Sequence, residues 1–284
     1  MTTREFTATT ASALQAIYPE REAQAVAVLV VEHLLDMDSL QRMMDAQEPV
    51  PPAAQAALPP LLDRLLAHEP VQYVLGTAYF DELMLEVTPA TLIPRPETEE
   101  LLRALRQERP DGGRCVLDVG TGSGCLAIAL ARTWPTARVL AVDISAEALA
   151  VARRNAARYA PQVSFQCLDA LREWPKGLAP GTLDVLVSNP PYVREGERPL
   201  MRANVLAWEP TTALFVPDDD PLLFYRRLAE LGRELLRPGG VLCVEINEAL
   251  GPETAALFQA PWFEDVRVLP DLFGKARVVP GRRR

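Results

Sequence analysis

The chain has 284 residues, 49% of them apolar, and a formal net charge of −9. That length fits one large domain or a catalytic domain with a small appendage, and the apolar share excludes wholesale disorder. The acidic balance weighs against a protein that grips nucleic acid mainly through its phosphates, since such binding needs clustered Lys and Arg.

The N-terminus carries Arg4, Glu5 and Glu20 and no secretory segment, and the apolar run 25–31 is far short of the ~20 residues that cross a bilayer. A cytoplasmic protein with no membrane partner is expected. Residues 1–68 read as a small helical domain. A helix over 21–36 places Val26, Leu29, Val30, Leu34 and Leu35 on one stripe, and a second over 53–66 follows the breakers Pro49, Pro51 and Pro52. This region suits either a packing appendage or a substrate-docking module. His33 and His68, the two histidines, lie upstream of every motif below, so no histidine triad and no metal centre are expected. Cys115, Cys125, Cys167 and Cys243 form no C-x-x-C pair and read as small buried core residues of a reducing compartment.

Residues 69–90 read as a linking β-hairpin, from Val71-Gln72-Tyr73-Val74-Leu75 through Gly76 and Tyr79-Phe80 to the run 83–87. A third domain, 91–284, follows with a helix over about 97–107. Strands at 114–119, 138–142, 163–167, 183–188 and 241–246 then alternate with helices at 125–133, 146–159 and 222–236. Such alternation predicts an α/β fold with a doubly wound, mostly parallel sheet. The unbroken run Val185-Leu186-Val187 predicts burial on both faces.

After the first of these strands comes Asp118-Val119-Gly120-Thr121-Gly122-Ser123-Gly124, opening a helix. Glycines there let backbone approach a ligand at the carboxyl ends of the strands. The dinucleotide fingerprint wants a third glycine or small residue where Cys125 stands, so G-x-G-x-G after an acidic residue points to a class I (Rossmann-like) S-adenosylmethionine-dependent methyltransferase instead. Asp143, at the tip of the second strand, is placed for the two ribose hydroxyls, with Ser145 the better helix cap. Asp169, after the third strand, is either a reader of the adenine amino group or a plain loop aspartate.

The fourth strand ends in Ser188-Asn189-Pro190-Pro191-Tyr192. An amide or exocyclic amino nitrogen is a poor nucleophile because its lone pair is delocalised. The Asn189 side-chain oxygen and the Pro190 carbonyl can each accept a hydrogen bond from such an NH₂ group, and the Tyr192 ring can fix the tilt of its plane. Two acceptors on one nitrogen aim it at the methyl and stabilise the positive charge that grows there. Glutamine, adenine and cytosine nitrogens fit equally.

With these motifs the chain resembles the HemK/PrmC family, the protein-(glutamine-N5) methyltransferases of peptide chain release factors. Residues 69–76 match the family's hairpin entry, and Thr91-Leu92-Ile93-Pro94-Arg95-Pro96-Glu97-Thr98-Glu99 matches its most specific signature. Glu209-Pro210, Ala213-Leu214, Asp271-Leu272, Gly274 and Arg277-Val278-Val279 are similar as well. The resemblance implies S-adenosylmethionine as cofactor and the glutamine of a Gly-Gly-Gln motif in a release factor as substrate. It implies that Gly120, Thr121, Gly122, Ser123, Gly124, Asp143 and Asp169 bind cofactor, that Asn189 touches both cofactor and glutamine, and that Pro190, Pro191 and Tyr192 complete the substrate pocket. Arg95 and Thr98 would shape the methionine end. Arg282-Arg283-Arg284 reads as a solvated tail. The rivals are a nucleic-acid methyltransferase acting on adenine N6 or guanine N2, and a non-catalytic nucleoside-binding regulator. The net charge and the Pro-Arg-Pro-Glu-Thr segment weigh against the first, and Asn189 with Tyr192 against the second.

Overall fold

The structure is a computed structural model that describes residues 1–259 and 261–284. Its backbone separates into two compact units, Met1–Thr77 with Arg202–Trp208, and Ala78–Met201 with Glu209–Arg284.

The first unit is helical. Thr2 and Glu5 form a reciprocal capping box that starts the helix Thr3–Leu14 by satisfying two orphan backbone donors. That helix packs with Glu20–Leu35 and Pro52–Leu66 around Phe6, Leu14, Ala27, Val30, Val31 and Leu65, all nearly inaccessible. Residues Val71–Leu75 form a short helix, not the first strand of a hairpin. A five-residue apolar run has no period to separate the two states. Packing decides: Pro70 presets the entry, Val71 and Val74 join the helical core, and Gly76 ends the turn at φ 74. The hairpin itself is shorter, Thr77–Phe80 with Leu83–Glu86. The short helix Ala203–Trp208, far along the chain, also belongs to this unit, and Arg202 pairs with Glu22 at 2.9 Å.

The second unit is built on one sheet. Its main strands are β1 (Cys115–Val119), β2 (Arg138–Asp143), β3 (Ser164–Cys167), β4 (Leu183–Ser188), β5 (Leu236–Glu245), β6 (Phe263–Glu264) and β7 (Ala276–Arg283). Their order is β6-β7-β5-β4-β1-β2-β3, with Leu269–Pro270 paired beside β7. β1 to β5 run parallel, and β7 is antiparallel to β5. Successive side chains alternate between two cores. Val116, Val139, Ala141, Val185, Val187, Val241 and Cys243 face one, with the helices Thr98–Glu108 and Cys125–Thr133. Leu117, Leu140, Val142, Leu186, Leu242 and Val244 face the other, with the helix Leu223–Leu235. Burial on both sides explains why these strands read as unbroken apolar runs.

Two expectations fail here. The arginines at the end are not a solvated tail. β7 carries Arg282 and Arg283 into the sheet, where Arg282 donates to the carbonyl of Gly239 and Arg283 to that of Arg233. Cys243 is buried as expected, but Cys167 is exposed because β3 is an edge strand with one open side.

Candidate active site

Strand register builds the site. Val142, Val119, Ser188 and Val244 lie abreast on β2, β1, β4 and β5. The next residues, Asp143, Gly120, Asn189 and Glu245, therefore form a row along the carboxyl edge of the sheet, at strand spacings of about 4.8 Å. The strand order reverses direction between β1 and β4, the place where open α/β sheets open a crevice for ligands. The hydroxyl of Ser188 donates to the Val119 carbonyl at 2.7 Å and ties the two strand ends together there.

Gly120, Gly122 and Gly124 all have positive φ (74°, 56° and 85°). A Cβ on Gly120 or Gly122 would meet no atom within 4 Å, so their faces are open, whereas one on Gly124 would press on Ala152 Cβ at 3.2 Å. The turn thus presents bare backbone outward and packs tightly inward. Asp143 braces it: its Oδ2 accepts from Gly122 N at 2.8 Å and its Oδ1 from Ser145 N at 2.9 Å. Each oxygen keeps a second lone pair for a ligand hydroxyl. Burial pushes the Asp143 carboxyl up, while the hydrogen bonds from Ser145 and Gly122 pull it down. Ser145 caps the following helix through Ala148 N at 3.1 Å, as its side chain predicts.

Thr121 and Ser123 turn inward and are buried, so only their backbone faces the crevice. The Thr121 hydroxyl donates to Asp118 Oδ2 at 2.6 Å, and burial pushes the Asp118 carboxyl up to about 7. Among the described residues Asp118 Oδ1 has no hydrogen-bond partner. An unpaired buried acceptor is costly, and it fits a donor brought by a ligand. The open glycine turn, Asp143 and this orphaned oxygen together suit a nucleoside cofactor with a cationic tail. Asp169 lies two residues past β3, and its Oδ1 accepts from Leu171 N at 3.0 Å within its own turn. Ile144 follows Asp143 and is 61% exposed, an apolar face beside the row that sequence reading passed over. Trp174 sits under the Arg227 guanidinium, 4.6 Å from its ring centre.

Three residues of the Asn-Pro-Pro-Tyr loop share one cavity. Asn189, Pro190 and Tyr192 line a cavity of about 40 Å³ with Leu92, Arg95, Val193, Ala213 and Leu214. That is room for roughly three water-sized groups, the scale of one carboxamide. A larger cavity of about 340 Å³, lined by Thr3, Arg4 and Met43, lies on the helical unit and contains none of the motif residues; size does not make it the site. The Asn189 amide nitrogen donates to Thr98 Oγ at 3.1 Å, leaving its Oδ1 without a donor among the described residues, and the Pro190 carbonyl is equally free. Pro191 continues the turn, half-buried.

Sequence reading missed Glu245. It is 1% exposed and accepts from Thr98 Oγ at 2.7 Å and from the Tyr192 hydroxyl at 2.9 Å. Burial pushes its carboxyl up, against the pull of those two hydrogen bonds and of Arg277. The Tyr192 hydroxyl is held well above its usual range, by burial first and by the neighbouring Glu245 charge. The signature segment is fixed from elsewhere. Buried Glu209 accepts from Ile93 N at 3.2 Å and pairs with Arg95, while Asp271 holds Arg277 at 3.2 Å. Arg95 and Thr98 therefore bond to Glu209, Glu245 and Asn189 and, among the described residues, make no hydrogen bond to the glycine turn.

A family profile described as PrmC N-terminal domain matches residues 5–76, and one described as Methyltransferase small domain matches residues 96–208. A protein from Bacteroides thetaiotaomicron described as Release factor glutamine methyltransferase is 47% identical over 270 residues, 95% of this chain and 96% of that one. Another so described, from Cereibacter sphaeroides, is 37% identical over 278 residues, 96% of this chain and 98% of its own. A solved methyltransferase from Pyrococcus furiosus aligns with a TM-score of 0.51 at 21% identity, over 78% of this chain and 96% of that one, which shows the shared class I fold. With an open glycine turn, an amide-sized cavity and similarity to such relatives along nearly its whole length, the chain belongs to the release factor glutamine methyltransferase family.

Proposed function

We propose that the enzyme transfers a methyl group from S-adenosylmethionine to the side-chain amide nitrogen of the glutamine in the Gly-Gly-Gln motif of peptide chain release factors. The observation that carries this reading is the pair of unengaged acceptors, Asn189 Oδ1 and the Pro190 carbonyl, on a cavity the size of one carboxamide. The bound cofactor supplies an electrophilic methyl on a sulfonium. The protein supplies position and charge. Asn189 and Pro190 accept the two N–H bonds of the glutamine amide, which holds its nitrogen toward the methyl and stabilises the positive charge formed on it. Tyr192 and Pro191 bound the amide plane. Gly120, Gly122 and Gly124 give backbone access for the cofactor, Asp143 takes the ribose hydroxyls, and Asp169 stands near the adenine.

Among the described residues no helix is long and apolar enough to cross a membrane. A translation factor as substrate places the enzyme in the cytoplasm. The helical unit, Met1–Thr77 with Arg202–Trp208, serves as a docking module for other parts of that factor, and the unit that carries Asn189 does the catalysis. A short loop alone offers few contacts for selection, and a second surface would raise effective concentration.

Mass spectrometry of a release factor incubated with enzyme and S-adenosylmethionine should show one added methyl on the glutamine of Gly-Gly-Gln. A methyl found on RNA or DNA, with the factor unmodified, overturns the substrate. For the cofactor, Asp143→Ala should lose ~1.5–3 kcal/mol of binding, roughly ten- to hundredfold in Kd. Because Asp143 also braces Gly122 and Ser145, Asp143→Asn, which keeps the shape, belongs in the same titration. Calorimetry giving wild-type affinity for both variants removes Asp143 from the site.

A further inference from the structure

We infer that Thr98 and Glu245 are positioning residues that set which end of the Asn189 amide faces the substrate. A carboxamide has two nearly isosteric ends, one a double donor and one an acceptor. Turned the wrong way, Asn189 would offer N–H to the N–H of a glutamine, and the contact that holds the nucleophile would become a repulsion. Something must choose the rotamer.

The chain of contacts does so. Glu245 closes β5, 1% exposed, and its two oxygens accept separately from Thr98 Oγ at 2.7 Å and the Tyr192 hydroxyl at 2.9 Å. Ionised, Glu245 only accepts and fixes the hydroxyl proton of Thr98 on itself; the two hydrogen bonds it receives favour that form against burial. The Thr98 oxygen then has lone pairs alone to offer, and the Asn189 amide nitrogen donates to it at 3.1 Å. Asn189 Oδ1 is left as the group aimed away from this chain of contacts. The direction passes from acceptor to donor through three elements that are 91 and 147 residues apart in sequence.

Other features favour the ionised acceptor. Thr98 opens the helix Thr98–Glu108, whose N-terminus carries partial positive charge toward Glu245. Arg277, held by Asp271, faces Glu245 and Tyr192 with its charge, and Glu97 opposes it. The arrangement explains why the signature segment carries a hydroxyl at this place. It also couples the two substrate-holding side chains, Asn189 and Tyr192, to one carboxylate.

The test uses the full-length enzyme and single-turnover methylation of a purified release factor, given the substrate-holding role of Asn189 on which the inference rests. Thr98→Val keeps the shape and removes the hydroxyl. Its rate should fall about tenfold or more with the Kd for S-adenosylmethionine unchanged, while Thr98→Ser, which restores the hydroxyl, stays within about threefold of wild type. In an Asn189→Ala background, adding Thr98→Val should cost less than about twofold further, because its effect passes through Asn189. Glu245→Gln, which can donate, should lose rate like Thr98→Val; if it does not fold, the Thr98 variants decide alone. Equal rates for Thr98→Val and Thr98→Ser overturn the inference, as does an undiminished Thr98→Val penalty in the Asn189→Ala background. A wild-type rate for Asn189→Ala by itself sinks the proposed role of that residue instead, so the two failures are told apart.

Discussion

Replacing Asn189 by alanine is expected to slow single-turnover methylation by about 10²–10³ while leaving most of the cofactor affinity in place. The size follows from where the lost hydrogen bond acts. The amide nitrogen of glutamine is nearly neutral before transfer and cationic after it, so an acceptor on its N–H grows stronger along the reaction. Only such differential stabilisation raises the rate of the chemical step. Among the described residues nothing donates to Asn189 Oδ1, and the residue lies at the switch between β1 and β4, beside the glycine turn and not within it. Rapid-quench measurement at saturating cofactor separates rate from binding. A near-normal rate would remove the acceptor from the mechanism.

Asp118→Asn should make the protein more stable at neutral pH and bind S-adenosylmethionine less well. Asp118 is fully buried, and its carboxyl is raised from 3.8 to about 7 by burial first, against the hydrogen bond from Thr121. Because the folded state holds this proton more tightly than the unfolded chain, the contribution of Asp118 to stability is greatest below about pH 4 and declines as pH rises toward 7. A shift of this size corresponds to a penalty on the order of 4 kcal/mol once the group is fully ionised. Asparagine cannot ionise, so chemical denaturation of the variant should show a flatter profile between pH 4 and 7 and a gain at pH 8. An unchanged profile would mean that Asp118 does not titrate in this range. Stabilisation without weaker cofactor binding would mean that the orphaned Oδ1 meets no part of the ligand.

Much of this was legible in the sequence because it is local. β1, β2 and β4 are short apolar runs that end in Val119, Asp143 and Ser188, and each motif begins within one residue of such an end. Neighbouring letters carry the glycine turn and the Asn-Pro-Pro-Tyr loop. What escaped is what only register and crossover bring together. Glu245 looks like one more residue in an apolar strand until β5 is laid beside β4 and Ser188 meets Val244. Thr98 was expected at the methionine end of the cofactor, and its bond to a carboxylate 147 residues away is invisible in its neighbours. The helix Val71–Leu75 was hidden for another reason, since packing and not period selects its state. The strand Ala276–Arg283 was masked by Pro280 and Gly281, residues that strand propensity disfavours; its pairing with β5 overrides them.

The helical unit is assembled from two stretches of chain, Met1–Thr77 and Arg202–Trp208, and the second leaves the catalytic unit just after the loop that carries Asn189. Such a unit has no single hinge peptide at which evolution or an engineer can exchange it. A chimera that imports only the N-terminal stretch from a relative would set a foreign helical core against the native helix Ala203–Trp208, including its Arg202–Glu22 pair. Recombination between relatives should therefore tolerate paired exchanges, made at residue 77 and at residues 202 and 208 together, and reject single ones. Selection on the substrate loop and selection on the helical unit cannot proceed independently while one interrupts the other.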